Sequence, residues 1–354
     1  MGRVGIKDIA ARANVSTATV SYVLNGTRNV KPTTKERVLR VIEELNFKPN
    51  SIAQSLKNRR TDTIGVIAED VTVFNVPEII DGINDFADRH DLHILLTNLR
   101  LDKRIGKKFD RVESYARYVE NAVSDLQGKQ VEGIVYIGVH PRDLSGTIDT
   151  HGKPIVYTYC YSQDEITIQY DDEQAFYDAT AYLVNQGHSK IAVISGILDS
   201  LPSRMRFNGY YKAANEYGLP SNPQWIRMGD WEAESGFRLT QELLALEDPP
   251  TAILAMNDVM AAGVLRAASE AGVSVPQQLS VIGFDNREFS EYLTPRLTTL
   301  ELPLHEMGYR AMESLAKIIR GEEVERKLSP ACRIILRESV APPREAAFTN
   351  GIFI

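Results

Sequence analysis

The run VSTATVSYVLNG, residues 15–26, sets Thr17, Ala18, Ser21, Tyr22 and Asn25 on what should be the outer face of a helix. Such a face has the chemistry to read a duplex. A threonine hydroxyl donates or accepts at a base edge, and an alanine methyl packs against the methyl of thymine. Lys7, Ser16, Thr19, Ser21, Asn25 and Arg28 are better suited to phosphate oxygens, which fix register but carry no sequence information. A second set of groups lies far downstream, where Asn257 and Asp285 belong to the runs AMND and IGFDN at apparent strand ends. Paired donors and acceptors of that kind, beside an aromatic face, are what a polyol needs.

The first set needs short helices to hold it. Ser16 is placed to cap the helix that follows, and Val15 and Val20 have the spacing of a hydrophobic staple. Val20, Val23 and Leu24 give this helix a buried stripe, while Ile6, Ile9, Ala10 and Ala13 repeat at i, i+3, i+4, i+7 just upstream. The three-residue link Asn14-Val15-Ser16 makes the pair either a helix-turn-helix or an ordinary helical hairpin. Pro32 suits the first turn of a third helix, whose Val38, Val41, Ile42 and Leu45 would close a three-helix core. Asn50 can cap one more short helix, residues 51–57, before the polar linker 59–62.

Charge divides at the same place. Residues 1–60 carry 12 Lys and Arg against 4 Asp and Glu, a net of +8, whereas the rest of the 354-residue chain carries −15. A basic head can bind phosphates while an acidic body discourages non-specific adhesion. From residue 63 the pattern changes to apolar strands alternating with helices, the signature of parallel α/β sheets covered on both faces. Strands are expected at 63–68, 93–99, 133–139 and 154–160, and in a second series at 190–196, 251–258 and 279–286. Two series imply two doubly wound lobes, with a ligand cleft at the carboxyl ends of the strands. Asp258, next to Asn257, is expected to cap the following helix, and residues 341–354 to form a loose tail.

The runs KDIAARANVSTATVSYVLN and ELNFKPNSIAQSLKNRRTDTIGVI resemble the head and hinge of the lac-repressor (LacI/GalR) family, nearly without gaps over the first 67 residues. The resemblance continues less specifically to about residue 340. It implies an all-α helix-turn-helix head plus an α/β body of two parallel-sheet lobes of the periplasmic-binding-protein-like type. The head would be residues 1–49, the hinge helix and linker 50–62, and the body 63–340. By family pattern the chain crosses between lobes near Cys160, Leu293 and Arg326, so the first lobe takes 63–160 and 293–325 and the second 161–292 and 326–340. Thr17, Ala18 and Tyr22 lie where relatives read bases, although Tyr22 departs from the arginine often found there. The hinge residues Ser51, Ala53, Gln54, Leu56 and Lys57 would enter the minor groove, with Leu56 as a wedge. Residues 101–123 are longer and more basic than this region usually is in the family.

The resemblance also marks an effector site. In SRMRFNGY the second arginine, Arg206, is the one expected to reach the ligand, and Trp231 matches an aromatic that covers the effector in sugar-responsive relatives. Tyr159 stands where such relatives commonly carry Asp, with Tyr170 close by, so the expected ligand is larger or less polar than a simple hexose, for example a glycoside. Asp70 and Asn75 would add contacts. Core packing for Trp231 and a turn for Asp285 remain the plainer alternative. The expected function is transcription regulation by a homodimer on a pseudo-palindromic operator, most simply as a repressor released by a small sugar-like effector. A corepressor, or a partner protein docked on the first lobe, would be the variants.

Other classes fit poorly. No GxxxxGK loop, GxSxG elbow or metal pair is present, and Tyr309 stands four residues after His305 where a zinc helix needs its second His. An enzyme, a cofactor and a metal are therefore not expected. Cys160 and Cys332 are isolated, which suits reduced thiols in the cytoplasm. The amino-terminal stretch has no apolar signal region, and no window approaches a membrane span.

Overall fold

The computed structural model describes residues 5–25, 29–47, 61–105 and 115–343, which fall into two compact units dividing at Asp62–Thr63. The amino-terminal unit contains α1 (Ile6–Ala13), α2 (Thr17–Asn25) and α3 (Pro32–Glu44). Asn14 ends α1 in the left-handed conformation at φ 51°, a geometry asparagine tolerates, and the Val15 N–H donates back to the Ala10 carbonyl at 3.0 Å. The Ser16 hydroxyl then accepts from the Thr19 N–H at 3.1 Å and starts α2. Ile9, Ala10, Ala13, Val20, Val23, Val38 and Val41 form the small core, with Val15, Leu24, Ile42 and Leu45 packed around it. Ile6 does not join this core, being 40% exposed at the first position of α1.

The second unit holds two parallel-sheet lobes, as its alternating pattern implies. The first lobe contains β1 (Thr63–Ala68), α4 (Val76–Arg89), β2 (His93–Asn98), α5 (Leu101–Ile105), α6 (Ala116–Gly128), β3 (Ile134–Ile137), β4 (Ile155–Thr158) and β5 (Ile166–Ile168). The second opens with α7 (Asp172–Asn185), β6 (Ile191–Ser195), α8 (Leu201–Glu216), β7 (Ile226–Met228) and α9 (Ala233–Leu244). It continues through β8 (Ala252–Ala255), α10 (Asp258–Glu270), β9 (Ser280–Asp285) and β10 (Thr298–Glu301). Then α11 (Leu304–Ile319) and β11 (Lys327–Leu328) return to the first lobe, and β12 (Arg333–Ile335) closes the second.

The sheet orders are β11-β5-β4-β3-β1-β2 and β12-β10-β9-β8-β6-β7. Every pairing is parallel except β10 with β12. The lobe boundaries expected near Cys160, Leu293 and Arg326 therefore shift. β5 still pairs with β4, β10 pairs with β9, and β11 pairs with β5, so the crossings fall after β5, between β10 and α11, and between β11 and β12. Backbone hydrogen bonding along these short strands carries each lobe further than its apolar runs suggest. In the first lobe α4 and α11 cross closely enough that a Cβ on Gly82 would lie 1.9 Å from the His305 carbonyl oxygen, and one on Gly308 1.9 Å from that of Ile79.

The expectation of a loose tail from residue 341 is corrected at its start. Ala341 donates its N–H to Ser280 Oγ at 3.1 Å, and its carbonyl oxygen accepts from Ser280 Oγ at 3.0 Å and from His188 Nε2 at 2.9 Å. Residues 344–354 lie outside those described, as do 106–114 within the basic segment.

Candidate functional site

On the helical head the structure separates two kinds of residue. Thr17 and Ala18 are exposed on α2, Ser21 and Tyr22 are half-buried beside them, and Val20 and Val23 anchor the opposite edge. Lys7 is exposed on α1, Ser16 is exposed at the turn, and Thr19 is half-buried. Ser16 has a dual position: its oxygen is engaged as a cap and lies 2.9 Å from Thr19 Oγ1. The Asn25 side chain, Arg28, Ser51, Ala53, Gln54, Leu56 and Lys57 lie outside the described residues.

In the body, ligands of doubly wound sheets belong where strand order reverses. In the first lobe that place is between β1 and β3, and Asn75, just before α4, donates Nδ2 to the carbonyl oxygen of Gly138 there at 3.1 Å. In the second lobe it is between β6 and β8. There Trp231 lies against Gly196, which follows β6, and Arg206 donates to the Met256 carbonyl oxygen just past β8.

Arg206 is buried on α8 and organises the centre. Its Nε donates to Asp172 Oδ1 at 2.7 Å, its Nη2 lies 3.3 Å from the Tyr170 hydroxyl, and its guanidinium stacks 3.6 Å from the centroid of Phe284. Trp231 is 5.7 Å from the same guanidinium. The Tyr159 and Tyr170 rings lie tilted with centroids 5.8 Å apart, and Tyr170 leads to Phe284 at 6.3 Å. The structure thus brings Tyr159, Tyr170, Arg206 and Trp231 into one aromatic cluster.

Burial disfavours the Arg206 charge, but Asp172, Tyr170 and Asp285 more than offset this, so it is held above its ordinary value and stays protonated. Burial pushes the Asp172 carboxyl upward and Arg206 pulls it back. Asp285, half-buried at the end of β9 with φ 111°, is pushed well above the usual carboxylate range by burial, against the pull of Arg206.

Two expectations are refined. Asn257, not Asp258, caps α10: its Oδ1 accepts from the Met260 N–H at 2.7 Å while its Nδ2 donates to the Trp231 carbonyl oxygen at 2.9 Å. It therefore positions Trp231, whose φ is 75°. Asp258 is instead buried, accepting from Thr299 Oγ1 at 2.5 Å, Ser290 Oγ at 2.7 Å and the Arg287 N–H at 2.7 Å. Asp70 is buried with Oδ1 engaged by Thr72, while Asp70 Oδ2 and Asn75 Oδ1 have no hydrogen-bond partner among the described residues.

Sequence reasoning missed the partners of the arginines. Besides Asp172, buried Glu69 accepts from Tyr136 Oη at 2.7 Å, from the Val139 N–H at 2.9 Å and from Arg142 Nη1 at 3.0 Å. Arg142 reaches a cavity of about 380 Å³ that spans the lobes, with Tyr161 on one wall and Ser200, Arg204 and Trp231 on the other. A second cavity, of about 750 Å³, runs from Phe74 and Glu78 in the first lobe to Asp285 and Arg287 in the second, and Arg287 sits 4.3 Å from the Phe74 centroid. Among the described residues no group of His, Cys, Asp and Glu could hold a metal ion.

A three-helix head with an exposed helix face and a body with a cleft at two strand-order reversals fit a ligand sensor joined to a duplex-binding module. Residues 5–50 match the lacI family of bacterial regulatory proteins, and residues 180–340 match the periplasmic binding protein-like domain. The chain is 35% identical over 326 residues to catabolite control protein A of Priestia megaterium, covering 91% of this chain and 94% of that protein. It resembles the lac repressor dimer bound to operator and the anti-inducer ONPF at a TM-score of 0.77 and 28% identity, over 96% of this chain and 100% of that one. It also resembles the transcriptional regulator CelR in complex with cellobiose, at 0.63 and 26%, over 95% and 100%. The chain belongs to the lacI family and is a DNA-binding transcription regulator; its relatives are regulators rather than enzymes. No helix among the described residues is long and apolar enough to cross a membrane.

Proposed function

We propose that this protein represses carbohydrate-related genes by binding operator DNA as a homodimer, and that a small sugar or glycoside in the interlobe cleft releases it. The observation that carries the reading is the exposed Thr17–Ala18 face on a helix whose other edge is locked into a three-helix core. One such head covers a half-site, so a pseudo-palindromic operator and a two-fold dimer go together. Thr17, Ala18 and Tyr22 read bases; Lys7, Ser16, Thr19, Ser21, Asn25 and Arg28 hold phosphates; Ser51, Ala53, Gln54, Leu56 and Lys57 enter the minor groove. Trp231, half-buried on the wall of the smaller cavity, favours a ring with an apolar face, and the similar structures are a lac repressor bound to ONPF and CelR bound to cellobiose. Coupling is reciprocal, so the effector weakens DNA as much as DNA weakens the effector. The protein works in the cytoplasm, where its duplex is, and performs no chemistry on the ligand.

The test is selection from a pool of random duplexes, followed by gel shifts at two salt concentrations. The selected sequence should be two-fold symmetric. Thr17→Ala should change the preferred base within the half-site, whereas Lys7→Ala should weaken all sequences alike and reduce the salt slope by about one. Failure to retain any duplex even in dilute buffer would refute the reading.

A further inference from the structure

Resting on the reading of the cleft as the effector site, we infer that it takes a neutral, hydroxyl-rich ligand and rejects phosphorylated or carboxylated ones, and that Asp172 sets this preference. An arginine in a sugar cleft ordinarily invites an oxyanion, because its planar fork matches two oxygens. Here Arg206 and Arg142 each already hold a carboxylate of this chain, and Arg337, on the larger cavity, donates to Glu291 at 3.1 Å. Arg206 is paired with Asp172 at 2.7 Å, and Arg142 donates through Nη1 to Glu69 at 3.0 Å and also through Nη2. Both carboxylates are buried, at 6% and 0% exposure, so solvent does little to screen them. Asp285 feels the pull of Arg206 and of Arg287, and Asp172, Glu69, Asp70, Asp285, Arg206 and Arg142 together carry two formal negative charges at most. Arg204, exposed at the rim of the smaller cavity, shares that rim with Asp143 and Asp199.

An incoming phosphate would shed its hydration against this field and find the guanidinium groups of Arg206 and Arg142 already neutralised. The unpartnered atoms favour the opposite chemistry. Asp70 Oδ2 and Asn75 Oδ1 are buried acceptors at the carboxyl end of the first sheet, and they require donors, which sugar hydroxyls supply and a phosphate dianion does not. Asp172 acts through Arg206 and is a positioning residue. It is separated from Arg206 by 34 positions on a different helix, and its effect is to cancel a charge that would otherwise face the ligand.

Inorganic phosphate is the first probe, because it needs no knowledge of the effector. Full-length wild type, Asp172→Asn and the Asp172→Asn/Arg206→Met double variant are titrated by calorimetry at constant ionic strength. The basic head contributes the same background to all three. Asp172→Asn should gain a millimolar phosphate site that the double variant lacks and wild type never shows, a change of about tenfold or more in affinity. A wild-type phosphate site that the double variant lacks, or a folded Asp172→Asn with no gain, would overturn the inference. The second measurement uses wild type only and so does not depend on the variants folding. Cellobiose, salicin and phenyl β-glucoside are each compared with their 6-phosphates by Trp231 emission. The neutral member of each binding pair should bind about tenfold tighter or better, and a phosphorylated member that binds equally well or better overturns the inference. If no glycoside binds while the phosphate results stand, the charge argument is supported and the carbohydrate reading of the cleft fails.

Discussion

The packing of Trp231 on Gly196 makes a sharp prediction. A Cβ placed on Gly196 would lie 2.0, 2.1 and 2.3 Å from three atoms of the indole, where carbon contacts settle at about 3.5–4.0 Å. Gly196→Ala must therefore push the ring back by about 1.5 Å. If the ring stays in its slot, the overpacking costs about 1–3 kcal/mol. Trp231 is only half-buried, however, so its lower-energy response is to swing toward solvent while the backbone stays tied to Asn257 Nδ2. A ligand ring that stacks on the indole would then lose about 1 kcal/mol, or roughly fivefold in affinity. Emission reports this directly, since the only other tryptophan, Trp225, is 3% exposed and supplies a constant background. Emission should shift to the red, ligand affinity should fall, and the melting temperature should change by a few degrees at most. Unchanged emission together with unchanged affinity would refute the placement of the indole.

Two further outcomes follow from the same physical reasoning. Burial lowers the pKa of His188 below its ordinary 6.5, against the raising effect of the Ala341 carbonyl that accepts from Nε2. A histidine depressed in the folded state binds fewer protons there than in the unfolded chain, so stability rises with pH through this window and falls as pH drops below about 6.5. Melts between pH 7 and 5 should show that loss, and His188→Gln should flatten it; an identical slope in both proteins would exclude His188 as the source. In the head, Ser16→Ala removes the cap on α2 and should cost about 1 kcal/mol of head stability. Denaturation followed by helix signal, alongside gel shifts, measures it, and an unchanged midpoint would mean that Thr19 finds its acceptor elsewhere.

How much of this was legible in the sequence depended on distance along the chain. The head could be read almost entirely, because its cap, staple and apolar stripes act within one or two turns of helix. Ser16 to Thr19 spans three residues, and Val20 and Val23 entered the core as their spacing implied. Ile6 failed for a local reason: as the first residue of α1 it has no preceding turn to cover it. Long apolar strands such as β1 and β9 were equally visible, but β5, β7 and β10 have only three or four residues each and are strands because a neighbour pairs with them. Of these, β5 and β10 flank lobe crossings, which is why the crossings moved.

The cleft shows the limit most clearly. Arg206 could be marked from the family resemblance of its segment, and Asn257 and Asp285 from strand ends, because position in a doubly wound fold places a residue near the ligand whatever its partners are. What such a residue can bind depends on the charge it keeps, and that depends on contacts 34 positions away for Arg206 and 73 for Arg142. Asn257 and Asp258 make the same point in miniature. Either side chain could cap α10, and the choice is made by Thr299, Ser290 and the Arg287 N–H gathering around Asp258, which leaves Asn257 to hold both the helix start and the backbone of Trp231. Place in the cleft is thus a property of the strand order, whereas selectivity is a property of which buried carboxylate reaches each guanidinium first.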